Sequence, residues 1–134
     1  MPAAMSAGPS VSFGRPTVLV ADDEPAVRRV MTWMLESAGY DVLTAADGAS
    51  AVALFTRHSE NLRAVLLDAR MPTLSGAETL SEIRRIDKGI PVLVCTGARD
   101  ATIARQCMDL GASAMLVKPF NREELWACLA SFPC

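Results

Sequence analysis

Histidine is almost missing: His58 is the only one in 134 residues. Four cysteines, Cys95, Cys107, Cys128 and Cys134, are present, and no two form a Cys-x-x-Cys pair. One imidazole and scattered thiols cannot complete a zinc site of ordinary spacing. The cysteines read instead as small apolar residues in a reducing compartment. Cys134, last in the sequence, is open to oxidation into a dimer on handling. A basic surplus is also lacking. Thirteen Lys and Arg stand against 15 Asp and Glu, for a net charge of −2. Direct nucleic-acid binding wants a strong positive balance, so this argues against it. No apolar run approaches a membrane span, and the start lacks the charged-then-apolar plan of a signal peptide. The expectation is a cytoplasmic protein with no membrane contact. No internal repeat is visible.

What is present is a set of short apolar runs, each ending in a polar residue. Apolar residues make up 51% of the chain, enough for one globular domain. Met1 to Arg15 is rich in Ala, Ser, Gly and Pro and reads as a disordered arm or linker, leaving 16–134 as the domain. Thr17 to Ala21 is the first strand, running into Asp22-Asp23-Glu24-Pro25. Pro suits the first turn of a helix and acids suit its positive end. That helix carries Val27, Val30, Met31, Met34 and Leu35 and stops at Gly39. Tyr40 to Ala45 is the second strand. Asp47 or Ser50 caps a second helix that buries Ala51, Leu54 and Phe55. The third strand contains Ala64-Val65-Leu66-Leu67 and ends at Asp68, because Pro72 soon follows. Ser75-Gly76 opens a third helix with Leu80, Ile83 and Ile86 inward. Ile90 to Cys95 is the fourth strand, ending at Thr96-Gly97. Asp100 caps a fourth helix through Ile103 and Cys107 to Gly111. Ala114 to Val117 is the fifth strand, ending at Lys118-Pro119-Phe120. Asn121 and Glu124 form a capping box for a last helix lined by Leu125, Cys128, Leu129 and Phe132.

Five strands alternating with five helices predict an α/β fold with a parallel sheet covered on both faces. The flavodoxin-like order 2-1-3-4-5 leads. In such a sheet all carboxyl ends share one edge. Asp22, Asp23, Asp68, Thr96 and Lys118 then converge despite their separation in sequence. Crowded carboxylates repel one another and raise each other's pKa. A hard divalent cation relieves this, and Mg²⁺ suits a shallow site that keeps several waters. With Lys118 and Thr96 added, the pocket suits a phosphoryl group. Asp68 is the acid best placed as a nucleophile, and carboxylates do form aspartyl-phosphates.

Together these motifs resemble the receiver domain of two-component response regulators. They are Asp22-Asp23 after strand one, Leu67-Asp68-Ala69-Arg70-Met71-Pro72 with Gly76 after strand three, Thr96-Gly97 after strand four and Lys118-Pro119-Phe120 after strand five. The resemblance covers Thr17 to Phe132. It implies that Asp68 accepts phosphate from a sensor histidine kinase or histidine phosphotransfer protein. It implies that Asp23, Asp68 and the backbone carbonyl of Arg70 hold Mg²⁺, with Asp22 acting through water. Lys118 would contact the phosphoryl group, Thr96 would turn inward to it, and Lys118-Pro119 would be cis. Such a chain catalyses its own phosphorylation and slow hydrolysis, and is a switch more than an enzyme. Its output partner, unnamed by the sequence, would meet the face of helix four, strand five and helix five, and a homodimer is open. The chain would be a stand-alone regulator or a receiver cut from a longer protein such as a hybrid kinase, and its unstructured start and abrupt end favour the latter. His58 reads as a solvated side chain, since nothing near it resembles a kinase dimerisation segment.

Two departures from the family pattern matter. Met115 stands where the family usually has an aromatic residue whose burial follows the Thr. That predicts a differently read switch, with the signal carried by the loop after Thr96. Arg70 and Ala98 occupy positions that tune phosphoryl lifetime in the family. Arg70 has two readings, covering the phosphate or pointing to water. Trp33 and Trp126 fall off the apolar stripes of the first and last helices. They either anchor partners, Trp33 on the kinase side and Trp126 on the output side, or are partly buried by long neighbours. Three rivals fit less well. A haloacid-dehalogenase-type Mg²⁺ phosphatase wants Asp-x-Asp after strand one. A flavodoxin wants a phosphate-cradling loop where Asp22-Asp23-Glu24 would repel phosphate. A pseudo-receiver acting only as a binding module does not need the full set of acids, Thr and Lys.

Overall fold

The computed structural model describes residues 14–97 and 99–132. Five strands form one parallel sheet: β1 (Thr17–Ala21), β2 (Asp41–Ala45), β3 (Leu62–Asp68), β4 (Val92–Thr96) and β5 (Ala114–Val117). Their order is β2-β1-β3-β4-β5, the flavodoxin-like arrangement. The helices are α1 (Pro25–Ser37), α2 (Gly48–His58), α3 (Gly76–Ile86), α4 (Ala101–Asp109) and α5 (Arg122–Ala130), with a 3₁₀ turn at Ser59–Asn61. The arm expected over 1–15 lies outside the described residues as far as position 13, as do Ala98 and Cys134. Arg15 itself is fastened to the α1–β2 turn, donating to the carbonyls of Gly39 and Tyr40 and pairing with Asp41 at 3.4 Å.

Alternation along each strand explains the two cores. Successive side chains point to opposite faces, so a strand that is apolar throughout must be covered on both. Leu19, Val65, Leu67, Val92 and Val94 pack on one face with Phe55 of α2, Leu80 and Ile83 of α3 and Cys107 of α4. Val18, Val20, Leu66, Leu93 and Cys95 pack on the other with Met31 and Leu35 of α1 and Leu125 and Leu129 of α5. Burying each large apolar side chain contributes about 1.5–3 kcal/mol. β3, at the centre, is buried from Ala64 to Asp68.

The helix boundaries follow local chemistry. Gly39, at φ 97°, ends α1 in a conformation that costs glycine little. Asp47, not Ser50, is the cap of α2 and accepts the Ser50 N–H at 2.7 Å. The Asn121–Glu124 capping box forms, and so does an unforeseen one between Ser75 and Glu78. Two apolar expectations fail. Ile86 is 47% exposed because three-residue steps fall short of a full turn and the stripe has drifted to solvent. Val30, at the edge of its stripe, is half exposed.

One glycine positions the site. A Cβ on Gly76 would lie 2.6 Å from the Asp68 carbonyl oxygen and 2.7 Å from Ala69 Cα. The first residue of α3 thus rests directly on the backbone that carries Asp68.

Candidate functional site

The strands deliver their terminal side chains to one edge. Asp22 follows β1 and is fully buried. Its Oδ1 accepts the Glu24 N–H at 2.9 Å, which shapes the entry to α1, and its Oδ2 accepts from Lys118 Nζ at 3.1 Å. Lys118 follows β5 and lies 3.4 Å from Asp68 Oδ1. Asp68 ends β3 with 9% of its surface exposed, and Asp23 beside it is open to solvent. One carboxylate oxygen from each of Asp22, Asp23 and Asp68 lies within 4.8 Å of the others. Three hard oxygen donors this close fit a small divalent cation such as Mg²⁺. The Lys118–Pro119 bond is cis.

The electrostatics match the crowding. Burial pushes Asp68 up to about 6, the charge of Asp22 adds to the rise, and Lys118 opposes it. Burial acts to lower the pKa of Lys118, but its bond to Asp22 and the charges of Asp68 and Asp22 outweigh that and leave it raised. Lys118 is therefore a cation at neutral pH. Cys95, paired with Asp68 across β3 and β4, is pushed up to about 12 by burial, so it is a thiol and no rival nucleophile.

Thr96 reaches the same edge at 3% exposure, but its hydroxyl donates to the Gly97 carbonyl at 2.8 Å rather than turning toward Asp68. Arg70 points neither at Asp68 nor freely at water. Its Nε and Nη2 both contact Asp100 Oδ1 at 2.8 Å. This corrects the expectation for Asp100. It occupies the N-cap position of α4 but makes no side-chain cap bond, because its carboxylate is held by Arg70. Arg28 was also missed. It donates to the Asp22 carbonyl at 2.7 Å and steadies the β1–α1 turn. Neither pairing has a simple sequence signal: Arg70 and Asp100 meet because the sheet brings two loops together, and Arg28 reaches from α1 back to the end of β1.

The two tryptophans do not divide between two faces. Arg122 of α5 lies over both rings, 5.1 Å from Trp33 and 5.3 Å from Trp126. The Trp126 indole N–H donates to the Met34 carbonyl of α1 at 2.7 Å. Trp126 leans onto α1 because a half-buried indole needs a hydrogen-bond acceptor and an open helix carbonyl supplies one. Trp33 remains 55% exposed. Val27, Val30, Met31 and Met34 of α1, with Lys118, Pro119 and Phe120, line a groove of about 220 Å³, while Trp33 lines a separate hollow with Arg29, Thr32 and Glu36. Among the described residues, no helix is long and apolar enough to cross a membrane.

Comparison with known proteins gives a consistent picture. Residues 18–130 match the family described as response regulator receiver domain. A probable transcriptional regulator, ycf27 of Galdieria sulphuraria, is 42% identical over 110 residues, covering 82% of this chain and 42% of that protein. The chain spans less than half the length of the curated relatives compared. A receiver domain protein from Clostridium thermocellum superposes with a TM-score of 0.83 at 32% identity, covering 87% of this chain and 92% of its own. The CheX–CheY–BeF3–Mg complex from Borrelia burgdorferi gives a TM-score of 0.81 at 31% identity, covering 87% of each chain.

Proposed function

The chain belongs to the response regulator receiver domain family of two-component signalling, and from that premise we propose that it is a phosphoacceptor switch whose acceptor is Asp68. The observation that carries this reading is the meeting of Asp22, Asp23, Asp68 and Lys118, with Lys118 Nζ 3.1 Å from Asp22 and 3.4 Å from Asp68. An ammonium beside a nucleophilic carboxylate offsets charge on an incoming phosphoryl group. Asp23, Asp68 and the Arg70 carbonyl would hold Mg²⁺, with Asp22 acting through water. When bound, the ion offsets the charge of the carboxylates and of the phosphoryl group.

The donor is a phosphohistidine on a sensor kinase or phosphotransfer protein. An Asp68 carboxylate oxygen attacks phosphorus and forms a P–O bond as the P–N bond breaks. The leaving imidazole nitrogen keeps that electron pair and takes a proton from solvent. Lys118 pairs with a phosphoryl oxygen, and Thr96 donates to one after leaving Gly97. In the slow return reaction, water attacks phosphorus, the P–O bond to Asp68 breaks, and inorganic phosphate departs. The donor protein docks on the α1 side, where the apolar groove opens beside Lys118 and Trp33 stands exposed. The output partner meets α4, β5 and α5, where Met108, Leu110, Met115 and Val117 leave apolar surface in water.

Incubation with acetyl phosphate and Mg²⁺ tests the acceptor. Intact mass should rise by one phosphoryl group, and Asp68→Asn should abolish the gain. A gain that survives in Asp68→Asn, or none in the parent, overturns the assignment.

A further inference from the structure

The Arg70–Asp100 pair joins the loop after β3 to the loop after β4, directly beside Asp68. We infer that Arg70 is a phosphoryl-binding residue held in reserve by Asp100, and that its transfer to the phosphoryl group frees Asp100 to cap α4. This rests on the reading of Asp68 as the acceptor.

Four observations carry it. First, Arg70 stands beside the site: its backbone N–H points at Asp68 Oδ1 at 3.4 Å, and the charge of Asp68 acts on its guanidinium. Second, its present bond is an incomplete one. Both donors converge on a single oxygen of Asp100, not on two as in the paired fork that makes Arg–carboxylate contacts strong. The side chain is 69% exposed, so solvent screens the pair further. A phosphoryl group offers three strong acceptor oxygens and about −1.5 to −2 of charge, and competes well for the same donors. Third, Asp100 stands at the N-cap of α4 with its carboxylate diverted. Aspartate is among the best capping residues, so the helix forgoes a favourable bond while the pair persists. Fourth, Gly97 links this pair to Thr96. Its carbonyl accepts both the Asp100 N–H at 3.0 Å and the Thr96 hydroxyl at 2.8 Å. Moving Asp100 disturbs the bond that keeps Thr96 turned away from Asp68.

The consequence is a route from the acceptor to α4 that needs no aromatic residue on β5, where this chain has the half-exposed Met115. Release of Asp100 lets its carboxylate take the N–H of Thr102 or Ile103, the positions an N-cap side chain serves.

The test uses the full chain with beryllofluoride and Mg²⁺ as the phosphoryl mimic. Fluorine NMR reports whether the mimic binds. Side-chain NMR of Arg70 Nε reports its partner, and amide exchange at Thr102 and Ile103 reports the cap. In the parent protein, the mimic should shift the Arg70 Nε signal and slow exchange at one of those amides by about fivefold. Arg70→Gln should show the slowed exchange without the mimic. Asp100→Ala should bind the mimic yet never gain the slowed exchange. Bound mimic with an unmoved Arg70 signal overturns the transfer while leaving the acceptor reading intact. Exchange in Arg70→Gln equal to that of the untreated parent overturns the release of Asp100. Failure of the parent to bind the mimic at all overturns the acceptor reading, and the transfer falls with it.

Discussion

Lys118 and Asp22 are 96 residues apart in sequence, yet Lys118 Nζ donates to Asp22 Oδ2 at 3.1 Å inside the site. Asp22 is fully buried, so this ammonium is what makes its charge tolerable there. Lys118→Ala should lower unfolding stability by about 1–3 kcal/mol, measured in urea without metal, less than for a fully buried pair because the lysine side chain is 26% exposed. The same variant should bind Mg²⁺ more tightly by calorimetry, because the ammonium no longer competes for Asp22 and Asp68. Its reaction with acetyl phosphate should slow by about a hundredfold, since one charge stabilising the transferred group is gone.

Asp68 is an acid whose pKa is raised to about 6 by burial and by Asp22. Ionising it therefore costs the folded state. Its contribution to stability is greatest below its ordinary value of 3.8 and is lost as pH rises through about 6. In metal-free buffer, Asp68→Asn should be more stable than the parent at neutral pH. Partial solvent access keeps that gain to about 1–2 kcal/mol. It should shrink as pH falls through 6 and vanish near the ordinary carboxylate value. A gain constant with pH would remove the titration as its cause.

Gly76 admits α3 onto the backbone of Asp68 and Ala69. Backbone atoms cannot swing aside as a side chain can. Gly76→Ala should destabilise by about 1–3 kcal/mol by overpacking, although alanine favours helix elsewhere. Denaturant midpoints at constant slope measure this.

Trp33 offers an exposed ring on α1, steadied by Arg122. An aromatic anchor at the centre of a protein interface carries more energy than its neighbours. Trp33→Ala should reduce phosphotransfer from the cognate kinase by about tenfold. It should leave the reaction with acetyl phosphate unchanged, since that small donor needs no docking surface. Equal rates with the kinase would remove Trp33 from the interface.

Local pattern made the elements legible. Each strand is a run of apolar residues short enough to be read by eye, and Asn121 with Glu124 announces the start of α5 by itself. The candidate site was legible for the same reason. In a parallel sheet, the residue after each apolar run must lie on one edge, so the sequence alone places Asp22, Asp68, Thr96 and Lys118 on a common rim. The outlying positions Ile86 and Val30 were misjudged because a stripe's edge depends on the neighbour that covers it.

Partnership between side chains was decided only by the tertiary structure. Asp100 has the sequence context of a helix cap, yet Arg70 takes its carboxylate across the loops. Arg84 looks like any surface arginine at a helix end. In the fold it donates to the carbonyls of Asp87, Ile90 and Gly111 and to Ser113 Oγ, binding three segments together. The physical reason is one of range. Backbone hydrogen bonding and apolar periodicity are settled within a few residues, and so are written locally. Which long polar side chain meets which depends on distances set by the whole sheet, and no short stretch of sequence contains them.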